Sequence, residues 1–153
     1  MKWHDIADPK DPELDRLAAQ YHIHPLHIED CRHRNQRAKV EENAGYIFTV
    51  LKTVQVQDGE LAFHDLDLFL GDDWVITVQE GNRDGAAAIL RPVHAMEAHL
   101  RADQVFYRIY DGVIDSYLPT IDGIDDVIDE LEEQVLQSPT PKCCRVSFTL
   151  KER

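Results

Sequence analysis

GYIFTVLKTVQVQDGELAFHDLDLFLGDDWVITVQEG, residues 45–81, decides the fold. It is rich in Val, Ile, Thr and aromatic residues, the types that suit a pleated, half-buried surface. Asp58-Gly59 and Gly71-Asp72-Asp73 punctuate it, and Asp-Gly between two such runs is a hairpin signal. The pattern predicts three strands, about Tyr46–Val56, Leu61–Leu70 and Trp74–Gln79. The middle one alternates: His64, Leu66, Leu68 and Leu70 share one face, and Asp65 and Asp67 the other. A further short strand is expected near Lys2–Asp5.

Outward from this core, both flanks turn helical. Toward the N-terminus, Asp11 suits an N-cap, Pro12 the first turn and Glu13 the positive helix end. Leu14, Leu17, Ala18 and Tyr21 then recur at helical spacing, and His24-Pro25 stops the run. Pro25 is placed to open a second short helix carrying Leu26 and Ile28. Beyond the strands, residues 85–102 read as one helical segment, limited or kinked by Pro92. From about 103 to 137 an apolar stripe runs through Phe106, Ile109, Val113, Tyr117, Ile121, Ile124, Ile128, Leu131 and Val135. Gly112, Pro119 and Gly123 weaken it locally, so a bend is expected. Ser138-Pro139-Thr140-Pro141 ends it, and residues 138–153 are expected to start a further helix. The fold class that follows is α/β: a small mixed, largely antiparallel sheet packed between helices, with a long acidic C-terminal helix. Residues 1–137 are expected to form that domain.

The bulk numbers restrict function. A chain of 153 residues can bury a real core. With 29 acids against 16 Lys plus Arg the net charge is −13, which argues against nucleic acid or an anionic membrane as partner and favours a cation. Three cysteines, Cys31, Cys143 and Cys144, give no disulfide framework and fit a reducing compartment. No apolar run approaches the ~20 residues that cross a bilayer, so the chain as given is expected to be soluble.

Two constellations compete as sites. His22, His24 and His27 in YHIHPLHIED (residues 21–30) give H-x-H-x-x-H, close to the H-x-H-x-D-H of dinuclear zinc hydrolases. Leu26 stands where that pattern needs Asp, and Pro25 would splay ligands that must converge at about 2 Å from zinc. The structural alternative is that these histidines cap a helix end at the surface. Cys31 near His33 reads as a buried structural thiol rather than a nucleophile with its base. No G-x-S-x-G, P-loop or G-x-G-x-x-G is present, and no enzyme activity is expected. The second constellation is acidic. Asp111, Asp115, Asp122, Asp126, Asp129 and Glu133 form a stripe roughly opposite the apolar one. It is either a solvated helix face or an all-oxygen surface for a hard dication such as Mg2+.

Several segments together resemble the cytoplasmic domain of the CorA family of divalent-cation transporters. They are WHDIADPKDPELDRLAAQYHIHPLHIEDC with its HPLxxED pattern, QRAKVEENAGYIFTVLK, WVITVQEG and YDGVIDSYLPTIDGIDDVIDELEEQVLQSP, in the family's order along nearly the whole chain. The resemblance implies a regulatory Mg2+-sensing domain of a magnesium or cobalt transporter, on the cytoplasmic side of the membrane. It implies that Asp30 faces a neighbouring subunit at a regulatory Mg2+ site, supported by Glu29, and that Asp111 and Asp115 lie near a second. Bound ion, Mg2+ or Co2+, would bridge copies of the chain (five in the full-length family, a monomer being the alternative here) and hold a pore closed. The stalk, the membrane helices and the partner carboxylate that the family supplies would lie beyond Arg153. A zinc-carrying branch of the same family and a soluble, metal-responsive paralogue are the alternatives.

Overall fold

The computed structural model describes residues 1–33, 36–57, 60–80 and 84–137. These fall into two compact units, Met1–Tyr117 and a second that begins at Leu118.

In the first unit five strands form one mixed sheet: β1 (Lys2–Ile6), β2 (Lys39–Asn43), β3 (Tyr46–Gln57), β4 (Glu60–Gly71) and β5 (Trp74–Gln79). Their order is β1-β5-β4-β3-β2, with β1 parallel to β5 and every other pair antiparallel. The expected three strands are β3, β4 and β5, and the expected N-terminal strand is β1. Asp58-Gly59 lies outside the described residues, but the pairing of Gln57 with Glu60 leaves just those two positions between β3 and β4. β2 has no counterpart in the sequence reading. Lys-Val-Glu-Glu-Asn lacks the apolar content of a central strand because it is an edge, where charge discourages pairing with another chain.

Helices cover both faces of the sheet. α1 (Pro12–Tyr21) and α2 (Pro25–Arg32) pack on one side, where Leu14, Leu17, Ile23, Ile28 and Cys31 meet Tyr46, Phe48, Val50, Phe69, Ile76 and Val78. α3 (Asp84–His94) and α4 (Ala102–Asp115) pack on the other, with Leu90, Val93, Val105, Ile109 and Val113 against Leu51, Leu66, Leu68 and Val75. The caps are those the residue types favour. Asp11 accepts from the Glu13 amide at 2.9 Å, and Pro12 opens α1. The chain leaves α1 through His22 at φ 53, in the left-handed region. His24 then caps α2, its Nδ1 accepting from the Leu26 amide at 3.2 Å, and Pro25 opens the helix.

The expected segment 103–137 is two helices, α4 and α5 (Leu118–Gln137), parted at Ser116-Tyr117. Pro119 has no amide proton for the Asp115 carbonyl, and in a continuous helix its ring would clash with that carbonyl. α4 buries Val105, Ile109 and Val113. On α5 the apolar positions Leu118, Ile121, Ile124, Val127 and Ile128 are exposed. Pro92 lies inside α3, and a 3-10 turn at Glu97–His99 follows. The segment expected at 138–153, with Cys143 and Cys144, lies outside the described residues. No described helix is long and apolar enough to cross a membrane.

Candidate functional site

The histidines divide their duties along the α1–α2 connection. His22 supplies the left-handed turn and His24 the helix cap, so both are structural and exposed as the surface reading expects. His27 departs from it, because it is buried. Its ring stacks on Phe48 at 4.5 Å and meets Tyr46 edge-on at 5.7 Å. Its Nδ1 lies 2.8 Å from the Tyr46 hydroxyl and its Nε2 2.8 Å from a Glu41 carboxylate oxygen. That hydroxyl also accepts from the His24 amide at 2.9 Å and from the Asn43 side-chain amide at 3.2 Å. With both lone pairs occupied, Tyr46 donates to Nδ1, and the His27 proton therefore sits on Nε2, toward Glu41. Among the described residues no three of the His, Cys, Asp and Glu side chains converge as a metal would require, which removes the histidine zinc site.

Asp30 continues the same network. Its carboxylate accepts from Lys39 Nζ at 2.7 Å, and Nζ also donates to Glu41 at 2.9 Å. Lys39 further stands 5.4 Å from the centre of the Phe48 ring. Partial desolvation works against the Lys39 ammonium, but its bonds to Asp30 and Glu41 outweigh that and hold it above its usual range. The bonds from Lys39 and then His27 hold the Glu41 carboxyl below its usual range. The side chains of Asp30 and Lys39 are 25% and 28% exposed, so the pair is open to solvent on one side. Sequence reasoning missed Lys39 and Glu41. The available signal was the alternating Lys39-Val40-Glu41 beside a Glu29-Asp30 pair, which makes sense only once β2 is known to be a strand.

Glu29 is exposed, at the rim of an open groove between α1 and α2 lined by Ala18, Ala19, Ile23 and Ile28. Asp111 and Asp115 are exposed one turn apart on α4, with no hydrogen-bond or ion-pair partner among the described residues. They belong to the helix layer opposite the one that carries Asp30, so a single chain does not gather all four acids into one site. The remaining acids of the stripe, Asp122, Asp126, Asp129 and Glu133, are exposed on α5.

Over residues 1–153 the chain matches the sequence model of the family described as CorA-like Mg2+ transporter protein. It is 33% identical over 143 residues to the cobalt/magnesium transport protein CorA of Thermotoga maritima, a match covering 90% of this chain and 41% of that protein. It is 32% identical over 133 residues to the putative metal ion transporter YfjQ of Bacillus subtilis, covering 86% of this chain and 41% of that one. The chain thus spans about two-fifths of the length of these curated relatives. Among solved structures, the soluble domain of CorA from Methanocaldococcus jannaschii matches with a TM-score of 0.69 at 18% identity, over 98% of this chain and 61% of that one. The ZntB cytoplasmic domain from Vibrio parahaemolyticus matches with a TM-score of 0.63 at 12% identity, over 84% and 54%. At these identities the structural likeness establishes the fold alone.

Proposed function

The chain belongs to the CorA-like Mg2+ transporter family, a family of transporters rather than enzymes, and from that premise we propose that it is the cation-sensing, regulatory part of a divalent-cation transporter. In this reading copies of the chain associate, in the family's pentamer, on the cytoplasmic side of a membrane that other parts of the protein span. Mg2+, or Co2+ in its place, bridges carboxylates of neighbouring copies. One observation carries the reading: Asp111 and Asp115 are exposed one turn apart without a cationic partner among the described residues. Mg2+ keeps several waters and needs only one or two carboxylates, so such a pair offers a weak site that a second copy completes. Asp30 offers another carboxylate from the opposite layer, Glu29 assists through the ion's waters, and Lys39 balances Asp30 while no dication is bound. Unbridged carboxylates at 4 Å repel by about 1 kcal/mol in water and about 4 kcal/mol in a partly desolvated seam. Loss of the ion therefore drives copies apart, and its return draws them together.

Sedimentation of the protein with Mg2+ against chelator tests this. Mg2+ at about millimolar concentration, the scale on which weak carboxylate sites bind a hard dication such as Ca2+, should shift the protein toward a larger species. Asp30→Ala and the double variant Asp111→Ala/Asp115→Ala should each raise the Mg2+ concentration required. Tight Mg2+ binding by a monomer, unaffected by these substitutions, would overturn the reading.

A further inference from the structure

β4 crosses the middle of the sheet, where both faces are covered and apolar side chains are expected. The register places Lys39, Val50, Asp67, Val78 and Ile6 in one row across the five strands, on the face beneath α1 and α2. Val50 and Val78 are buried, and between them stands an acid, Asp67, 3% exposed. The Cys31 thiol of α2 lines the same small cavity, and Asp67 Oδ1 has no hydrogen-bond partner among the described residues. A cavity of about 40 Å3 opens beside it, lined by Asp67 with Cys31, Asp65 and Glu80.

A metal ion is not the occupant that this geometry favours, since among the described residues no three potential ligands converge. Charged neighbours among the described residues are already placed. On the sheet, Lys52 of β3 is paired with Asp65, whose other oxygen accepts from the Gln36 amide. On α2, Arg32 is held by Asp15 of α1, His33 bonds to the Glu29 carbonyl, and Asp30 is held by Lys39. In the β1–α1 connection, Asp8 accepts from the Lys10 amide, and both residues line the cavity rim. None of these cations is placed against Asp67 Oδ1. A proton fits where an ion does not: it turns the Asp67 carboxyl into a neutral donor beside a cavity that Asp65 and Glu80 also line.

We propose that Asp67 is a proton-operated latch that sets how firmly α2 seats on the sheet. With the proton on, the carboxyl is neutral, has no unpaired charge to solvate and can donate toward the cavity beside Cys31. With the proton released to solvent, an unpaired charge is left between Val50 and Val78 on the face that α2 covers, and α2 seats less firmly. The energetics agree in sign. Burial, opposed by the Cys31 thiol and aided by the charges of Asp65 and Asp30, pushes Asp67 from 3.8 up to about 7. A carboxyl whose folded value is raised favours the folded state in its protonated form, so stability falls as pH rises from the lower value through the upper. The proposal needs only the seating of α2 and is independent of any bound cation.

Thermal unfolding of the full chain and of Asp67→Asn, from about pH 5.5 to about pH 8.5, tests the latch. The wild type should lose roughly 5 °C more than the variant over that range. Amide exchange within Pro25–Arg32, corrected for the intrinsic pH effect, should accelerate at the upper pH in the wild type alone. Parallel stability curves, or excess exchange located outside α2, would overturn the proposal. If Asp67→Asn does not fold, carboxyl 13C titration of the wild type decides. An Asp carboxyl titrating above about pH 6 supports the latch, and titration of every Asp below that removes it.

Discussion

The Tyr46 hydroxyl lies 2.8 Å from His27 Nδ1, and through it α2 and β3 share one hydrogen-bond network. The hydroxyl takes protons from the His24 amide and Asn43 and gives its own to His27, whose Nε2 faces Glu41. Removing that single oxygen strands a buried imidazole nitrogen and the amide at the start of α2. Tyr46→Phe should therefore destabilise the protein by about 2 kcal/mol, above the net value of one ordinary hydrogen bond. Denaturant unfolding measures it: the midpoint should fall with the slope unchanged. A loss indistinguishable from zero would mean that the His27 orientation does not depend on the hydroxyl.

In the proposed reading, Lys39 holds the place that a dication would take beside Asp30. Its Nζ lies 2.7 Å from Asp30 and 2.9 Å from Glu41, so one ammonium balances two carboxylates. Lys39→Met keeps much of the stem over Phe48 and deletes the charge. Calorimetric titration should then show Mg2+ or Co2+ binding several-fold tighter, with about tenfold, or ~1.4 kcal/mol, as the scale. Combining the change with Asp30→Ala should abolish the gain. A gain that survives without Asp30 would place the cation elsewhere.

The same network has an acid limit. Glu41 is held below its ordinary value of 4.5 by Lys39 and His27. A depressed folded value means stability is present above the unfolded value and is lost as pH falls through the folded one. The network should weaken below about pH 4.5, and Glu41→Gln should flatten that acid limb. Because Glu41 is substantially exposed, solvent screening keeps the effect modest. Thermal midpoints of the two proteins between about pH 3 and about pH 6 should converge at the acid end. Curves that stay parallel throughout would show that Glu41 carries none of the acid sensitivity.

The central strands were legible because β3, β4 and β5 owe their conformation to local content, and the helix starts at Asp11 and Pro25 because they are chemistry within a few residues. β2 was not legible, since an edge strand is defined by what it pairs with, and Lys39↔Val50 is a tertiary fact. His27 failed for a related reason. Its polarity argues for the surface, while Phe48, Tyr46 and Glu41, distant in sequence, together make burial tolerable. Asp67 is the sharpest case. Alternation placed it opposite Leu66 and Leu68, but whether that face meets water depends on α1 and α2 covering it. Asp30, Asp111 and Asp115 were singled out by resemblance, the last two also by the acidic stripe. Their separation into opposite layers follows from strand order, which no spacing encodes.

Gly71 offers a test of packing where β4 turns into β5. A Cβ added there would run into the Trp74 indole, at Cε2 and Nε1. That ring has little room to retreat, for it is buried and stacked on Tyr21 at 4.3 Å, with Tyr46 at 6.2 Å on another side. Gly71→Ala must therefore displace the indole or bend the strand end, a cost of about 1–3 kcal/mol for overpacking. Because Trp74 and Tyr21 move together, the near-ultraviolet circular dichroism of the folded variant should change as its unfolding midpoint falls. Trp74→Leu made in the Gly71→Ala background should recover part of the Gly71→Ala penalty, judged against Trp74→Leu alone, because the clash is with the ring itself. If the two substitutions are simply additive, the cost arises from the backbone at position 71 rather than from its contact with Trp74.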